Sequence, residues 1–176
     1  MNHNALIMEM TKYYNGQPHR VQHFMKVYAY SKMIGELEGL SDREQDILEV
    51  AAIVHDIGIK VSEEKYGDGI GKHQEEERPA VAQEMLEELS YDAELTERVC
   101  YLVGHHHTYK DIDKLDYQIL VEADFLVNLF ENETNNRPAK VTFEKIFKTK
   151  TGKEIGQAMF ATDREVEWEK VGGFLK

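Results

Sequence analysis

Glu49-Val50-Ala51-Ala52-Ile53-Val54-His55-Asp56-Ile57-Gly58 is the stretch that decides the fold. It lacks the strict alternation of a half-buried strand, and Ile47, Leu48, Ala51, Ala52 and Val54 form a helical stripe. Ser41 followed by Glu44 reads as a capping box that opens this helix, and Gly58 is expected to stop it. His55 lies on the stripe of Leu48, Ala51 and Ala52, so an imidazole is aimed at the core beside an aspartate.

Outward from this segment the same period recurs. From Pro18 to Leu37, apolar residues fall at Val21, Phe24, Val27, Tyr28, Ile34 and Leu37, and Glu38-Gly39 ends the run. Residues 73–89 carry Val81, Ala82, Met85, Leu86 and Leu89; residues 94–107 carry Leu95, Val99, Leu102 and Val103. Residues 115–131 carry Leu120, Val121, Val127 and Leu129. Residues 59–72, with Gly67, Gly69 and Gly71 and few apolar positions, read as a flexible loop, and Asn132 to Arg137 as a polar break. The pattern weakens from Pro138 to Phe160, where Gly152 and Gly156 interrupt it. Two of the three prolines stand at helix starts. No repeat or period-2 strand emerges, so the expected class is all-α. One domain over 1–176 is expected, with a motif-bearing core over about 17–130. The extension over about 135–176 either enlarges the helical core or covers the mouth of a site.

Composition narrows the function classes. The 176 residues are 41% hydrophobic and 31% charged, enough to bury a core without disulfides. Twenty-one basic residues against 33 acidic ones give a net charge of −12, whose field repels nucleic-acid polymers and anionic membranes. Cys100 is the single cysteine, and the first residues lack the apolar run of a signal peptide, so a reducing cytoplasm is the expected compartment. No stretch approaches the roughly 20 apolar residues of a membrane span.

The chemistry sits in histidines and aspartates on separate helices. His23 edges the first strong stripe, with His19 one turn earlier; His55-Asp56 ends the second; His105, His106 and His107 end the fourth. Asp124 lies among Leu120, Val121, Val127 and Asn128, where a carboxylate is costly unless paired or bound to a cation. Helical bundles build metal sites in this way. Each residue also has a structural reading. A core histidine can simply be hydrogen-bonded, Asp124 can pair with a basic residue, and the histidine run can be a solvated helix end.

With these residues in view, the chain resembles the HD superfamily of metal-dependent phosphohydrolases over about residues 17–130. His23-Phe-Met-Lys-Val27 resembles the family's first-histidine helix, Glu49 to Gly58 its naming motif, and Val121-Glu-Ala-Asp124-Phe-Leu its final-aspartate helix. The resemblance implies a compact helical bundle with His23, His55, Asp56 and Asp124 as ligands of one divalent metal. Some members hold a second ion. Leu102-Val-Gly-His105-His106 resembles their histidine helix, and His73 lies near the remaining position, which Gln74 fills equally well. One ion or two is therefore implied, from Mn, Fe, Co, Ni, Mg or Zn. Ile57-Gly58-Ile59-Lys60 places the lysine one position later than the HDIGK form. The His-Asp-x-x-Glu-Asp pattern of guanosine tetraphosphate hydrolases and the HHE and GYP signatures of cyclic di-GMP phosphodiesterases are missing.

The implied reaction is hydrolysis of a phosphate ester of a small metabolite, a nucleotide or related compound, by hydroxide formed at the metal. Asp56 would orient or deprotonate the water, with His105 and His106 beside it in catalysis. Lys60, Lys72, Arg78 and His107 are candidate donors to the substrate phosphate, and the glycine-containing loop is either a lid or a connector. Glu75, Glu76 and Glu77 read as an exposed first helical turn, one of which could act as a base. Two other classes compete: a regulatory module that binds metal and a phosphate ligand without turnover, and a helical interaction protein with structural histidines. No oligomeric state follows from the sequence.

Overall fold

The computed structural model describes residues 3–66, 71–131 and 140–160, apart from the side chains of residues 64, 66, 71–77 and 140–142. Every regular element among them is a helix: α1 (Asn4–Tyr13), α2 (Pro18–Glu38), α3 (Asp42–Val54), α4 (Gly58–Tyr66), α5 (Gly71–Glu88), α6 (Ala93–His105), α7 (Leu115–Glu131), α8 (Lys140–Ile146) and α9 (Lys150–Phe160). The fold is an all-α compact helical bundle, and no helix among the described residues is long and apolar enough to cross a membrane.

α3 is the axis. Ser41 accepts from the Glu44 backbone N–H while the Glu44 carboxylate reaches back to Ser41 N, closing the capping box. Every residue from Ile47 to Val54 is buried, because α3 packs against α2, α6, α7 and α1. Glu49 lies in that run with its charge answered: Lys32 Nζ and Gln45 Nε2 each donate to it at 2.9 Å. α2 lies across both α3 and α7, while α5 joins α4 to α6. Pro18 stands in the first turn of α2, and Gly39 closes that helix with φ 78°, a left-handed conformation that favours glycine. Leu37, expected on the buried stripe, is 67% exposed in the last turn of α2.

Two segments depart from the sequence expectation, and a third carried none. Residues 59–66, read as part of a loop, belong to α4. Its two apolar positions, Ile59 and Val61, give little periodic signal, and packing on α5 holds it. Gly58 does not break a helix; it begins one. A Cβ there would lie 2.5 Å from Arg78 Cγ and 2.8 Å from Arg78 N, so the missing side chain lets α4 and α5 approach. The glycines at 67 and 69 lie outside the described residues. The N-terminal segment forms α1, with Leu6, Met10 and Tyr14 buried.

The second departure lies in 140–160. Gly152 and Gly156 do not interrupt a helix but sit inside α9, where a Cβ would run into Glu122 and Thr149 or into the Phe143 ring. This part of the extension enlarges the core, on α2 and α7. Its contacts on α7 include Gln118, Glu122, Phe125 and Leu126. Residues 161–176 lie outside the described residues.

Replacing Gly58 with alanine should lower the unfolding free energy by about 1–3 kcal/mol, the usual cost of overpacking, because the atoms it meets include backbone. Urea unfolding followed by far-UV circular dichroism reads this directly; an unchanged midpoint would contradict it.

Candidate metal centre

α2, the α3–α4 turn and α7 meet at one point and bring four side chains together. His23 comes from the second turn of α2, His55 and Asp56 from the turn, and Asp124 from the middle of α7. His23 Nε2 lies 3.1 Å from His55 Nε2 and 3.2 Å from Asp124 Oδ1. Asp56 Oδ2 is 3.6 Å from His23 Nε2 and 3.5 Å from His55 Nε2, and His55 Nε2 is 3.6 Å from Asp124 Oδ1. His55 is fully buried and Asp124 4% exposed, so water does little to relieve this crowding.

Local bonds fix how the rings present themselves. His55 Nδ1 donates to Ala52 O at 2.8 Å, and His23 Nδ1 donates to Glu131 Oε2 at 2.7 Å. Carbonyl and carboxylate oxygens only accept, so the proton is on Nδ1 in each neutral ring and Nε2 carries a lone pair. Two imidazole lone pairs and two carboxylates therefore converge, a set of acceptors without a donor of its own. Ligands at about 2.0–2.2 Å from an ion lie about 3.0 Å apart at octahedral angles and about 3.4 Å at tetrahedral ones. The observed 3.1–3.6 Å separations suit such an ion. Three groups lie close enough to hold a metal: His23, His55 and Asp124; His55, Asp56 and His106; and His106, His107 and Asp124.

The surrounding shell locks the turn. Tyr14 donates its hydroxyl to Asp56 O at 2.6 Å and Tyr13 to Ile57 O at 3.0 Å, so the end of α1 clamps the backbone that carries the Asp56 carboxylate. Asn128 donates to Asp124 Oδ1 at 2.8 Å. Lys26 holds Glu131 at 2.6 Å, which in turn orients His23. Sequence reasoning missed Glu131. It shares a face of α7 with Asp124 and Asn128 at i, i+4 and i+7, and that spacing was the available signal.

The remaining expected residues divide. His106 is 1% exposed, with Nδ1 donating to Val103 O and Nε2 3.8 Å from Asp56 Oδ1. That Nε2 has no hydrogen-bond partner among the described residues. His107 Nε2 lies 3.7 Å from Asp124 Oδ2. Arg78 is fully buried and donates to Asp56 Oδ1 at 3.0 Å, so it meets a site carboxylate rather than open solvent. His105, expected beside the reacting groups, does not join them. It is exposed, bonds Tyr101 O and stacks on the Tyr101 ring at 4.4 Å, because the last turn of α6 points it outward. Lys60, expected to face the substrate, instead donates to Tyr13 O at 3.1 Å and sits over the Tyr13 ring, tying α4 to α1. The side chains of Lys72, His73, Gln74, Glu75, Glu76 and Glu77 lie outside the described residues.

Electrostatics follows from this geometry. Burial alone would lower the His23 pKa, but the hydrogen bond with Asp124, the charges of Asp56 and Asp124 and the bond to Glu131 lift it to about 9. Burial pushes Asp56 up, yet the field of the His55 ring and the Arg78 guanidinium help hold it well below the usual carboxylate range. Burial drives His106 down to about 4, so it stays neutral at ordinary pH. In the metal-free protein the proton on His23 thus takes the role a cation would have.

A cavity of about 170 Å³ opens beside these groups, lined by Tyr14, His19, Arg20, His23, Asp56 and Asn128 among others.

Comparison with known proteins agrees with this architecture. The model of the HD domain family matches residues 20–144, and the chain belongs to that family. Among solved structures, the crystal structure of a predicted HD superfamily hydrolase from an uncultured Thermotogales bacterium has the same fold, with a TM-score of 0.63. The two are 19% identical, and the alignment covers 97% of this chain and 88% of that one. A search of curated proteins returned no match.

The His23 shift sets a pH dependence. Its pKa is raised from 6.5 to about 9 on folding without metal, so the stability it contributes is complete below 6.5 and is lost as pH rises through 9. A divalent ion must displace that proton, so its binding should strengthen over the same interval. Thermal unfolding with and without Mn²⁺ should therefore show the metal-induced rise in Tm growing from pH 6.5 to 9. A rise that stays flat would contradict the assignment of the proton.

Proposed function

We propose that the chain is a metal-dependent phosphohydrolase acting on a phosphate ester of a small metabolite, a nucleotide or related compound. The observation that carries the reading is the convergence of acceptor-only atoms from His23, His55, Asp56 and Asp124 at 3.1–3.6 Å, with both rings oriented from behind. Membership of the HD domain family supports it, and so does the shared fold of a protein described as a predicted HD superfamily hydrolase. These four residues would hold one divalent ion.

When bound, such an ion acts as a Lewis acid that makes hydroxide accessible near neutral pH and neutralises phosphoryl charge. The chain's own residues supply the rest. Asp56 is the carboxylate best placed to orient the attacking water or take its proton. Arg78 holds one of its oxygens, and Tyr14 fixes its backbone. Arg20 and His19, which line the cavity, and His107, partly exposed near Asp124, are the candidate donors to a phosphate or leaving oxygen. The net charge of −12 opposes nucleic-acid polymers at long range, and a bound divalent ion would make a small anion tolerable at the site. A cavity of about 170 Å³ is below the roughly 300 Å³ where pockets for whole drug-sized ligands begin, so it suits the phosphoryl end of a substrate.

A panel of phosphomonoesters, nucleoside polyphosphates and cyclic dinucleotides, run with several divalent metals and with EDTA, tests the proposal. Turnover of at least one ester should appear with metal and vanish with EDTA. Asp56→Ala, checked for folding by circular dichroism, should reduce kcat/KM at least about a hundredfold. Metal uptake without cleavage of any member would favour a ligand-binding regulatory module instead.

A further inference from the structure

Asp56 divides its two oxygens between different partners. Oδ2 faces the His23 and His55 nitrogens at 3.6 and 3.5 Å. Oδ1 accepts from Arg78 at 3.0 Å and lies 3.8 Å from His106 Nε2. The donors for a second ion are thus partly assembled, since His55, Asp56 and His106 lie close enough to share one. A guanidinium already holds the Asp56 oxygen that faces His106. It is fully buried, and its second amino nitrogen is 3.5 Å from His107 Nδ1. It cannot yield its charge, because arginine stays protonated in proteins.

We infer that the site takes a single divalent ion, and that the Arg78 guanidinium fills the place where a second ion would bridge Asp56 and His106. The inference rests on the metal reading above and specifies its stoichiometry. A dication entering beside Arg78 would meet a fixed positive charge at contact range and would have to take Asp56 Oδ1 from it. Backbone packing holds the guanidinium there. Gly58 lets the Arg78 backbone approach the α3–α4 turn so closely that even a methyl group would collide with it. Arg78 is then a positioning residue. It fixes the Asp56 carboxylate with one oxygen toward the ion, and it supplies a permanent positive charge on the opposite side. The Nε2 of His106, without a hydrogen-bond partner among the described residues, faces the same Asp56 oxygen that Arg78 holds.

The test uses Mn²⁺ as probe. The full chain is loaded with excess Mn²⁺, exchanged into metal-free buffer, and examined by elemental analysis and electron paramagnetic resonance. The wild-type chain should hold one ion per chain with an uncoupled six-line signal. Arg78→Met should take up a second ion and show an exchange-coupled signal, whereas Arg78→Lys, which keeps the charge, should stay at one. Two coupled ions in the wild-type chain would overturn this inference while leaving the metal reading intact, and that measurement needs no variant to fold. Folded Arg78→Met with a single ion would also overturn it. Wild-type chain that takes up no manganese would overturn the metal reading and this inference together.

Discussion

Two imidazole nitrogens with lone pairs, 3.1 Å apart and flanked by two carboxylates, are unstable neighbours unless a positive charge lies among them. That requirement organises the centre of the molecule. The ring orientations are not free to relieve it, because Ala52 O and Glu131 hold the opposite nitrogens. Nor can the carboxylates easily turn outward, since Arg78 and Asn128 hold them. A proton on His23 meets the demand in part, and a divalent ion would meet it in full.

The bundle can hold so strained a constellation because the site residues rise from its most deeply packed parts. α3 is buried along its whole last half, so His55 and Asp56 are delivered by a rigid rod rather than a loop. α2 and α7 cross it and each other, which fixes His23 and Asp124 relative to that rod. Two tyrosines at the end of α1 then pin the turn through its carbonyls. The helices of 140–160 serve the same end at a distance. Glu122, buried on α7, accepts from the backbone N–H groups of Lys148 and Thr149, anchoring the start of α9 to the helix that carries Asp124.

Much of this was legible in the chain itself. The capping box at Ser41 and the unbroken apolar run after it define α3, and the 115–131 stripe defines α7 with the same bounds as the structure. Periodicity also contained more than its plainest reading. His106 follows Val99, Leu102 and Val103 by seven, four and three, which centres it on the buried stripe, whereas His105 shares that spacing with Leu102 alone. Arg78 precedes Ala82 and Leu86 by four and eight, so the buried stripe of α5 extends back to a guanidinium. What was not legible depends on contacts between distant segments. Gly58, Gly152 and Gly156 look like punctuation in a one-dimensional reading, yet each marks a close approach to a neighbouring element. α4 has too few apolar residues to announce itself, and its helical state comes from packing on α5.

The most direct measurement is an anomalous-difference map from crystals of the chain grown with Mn²⁺. The account requires a peak bounded by His23 Nε2, His55 Nε2, Asp56 Oδ2 and Asp124 Oδ1, within about 2.0–2.3 Å of each. Density confined to other parts of the surface, with these four side chains turned apart, would contradict it.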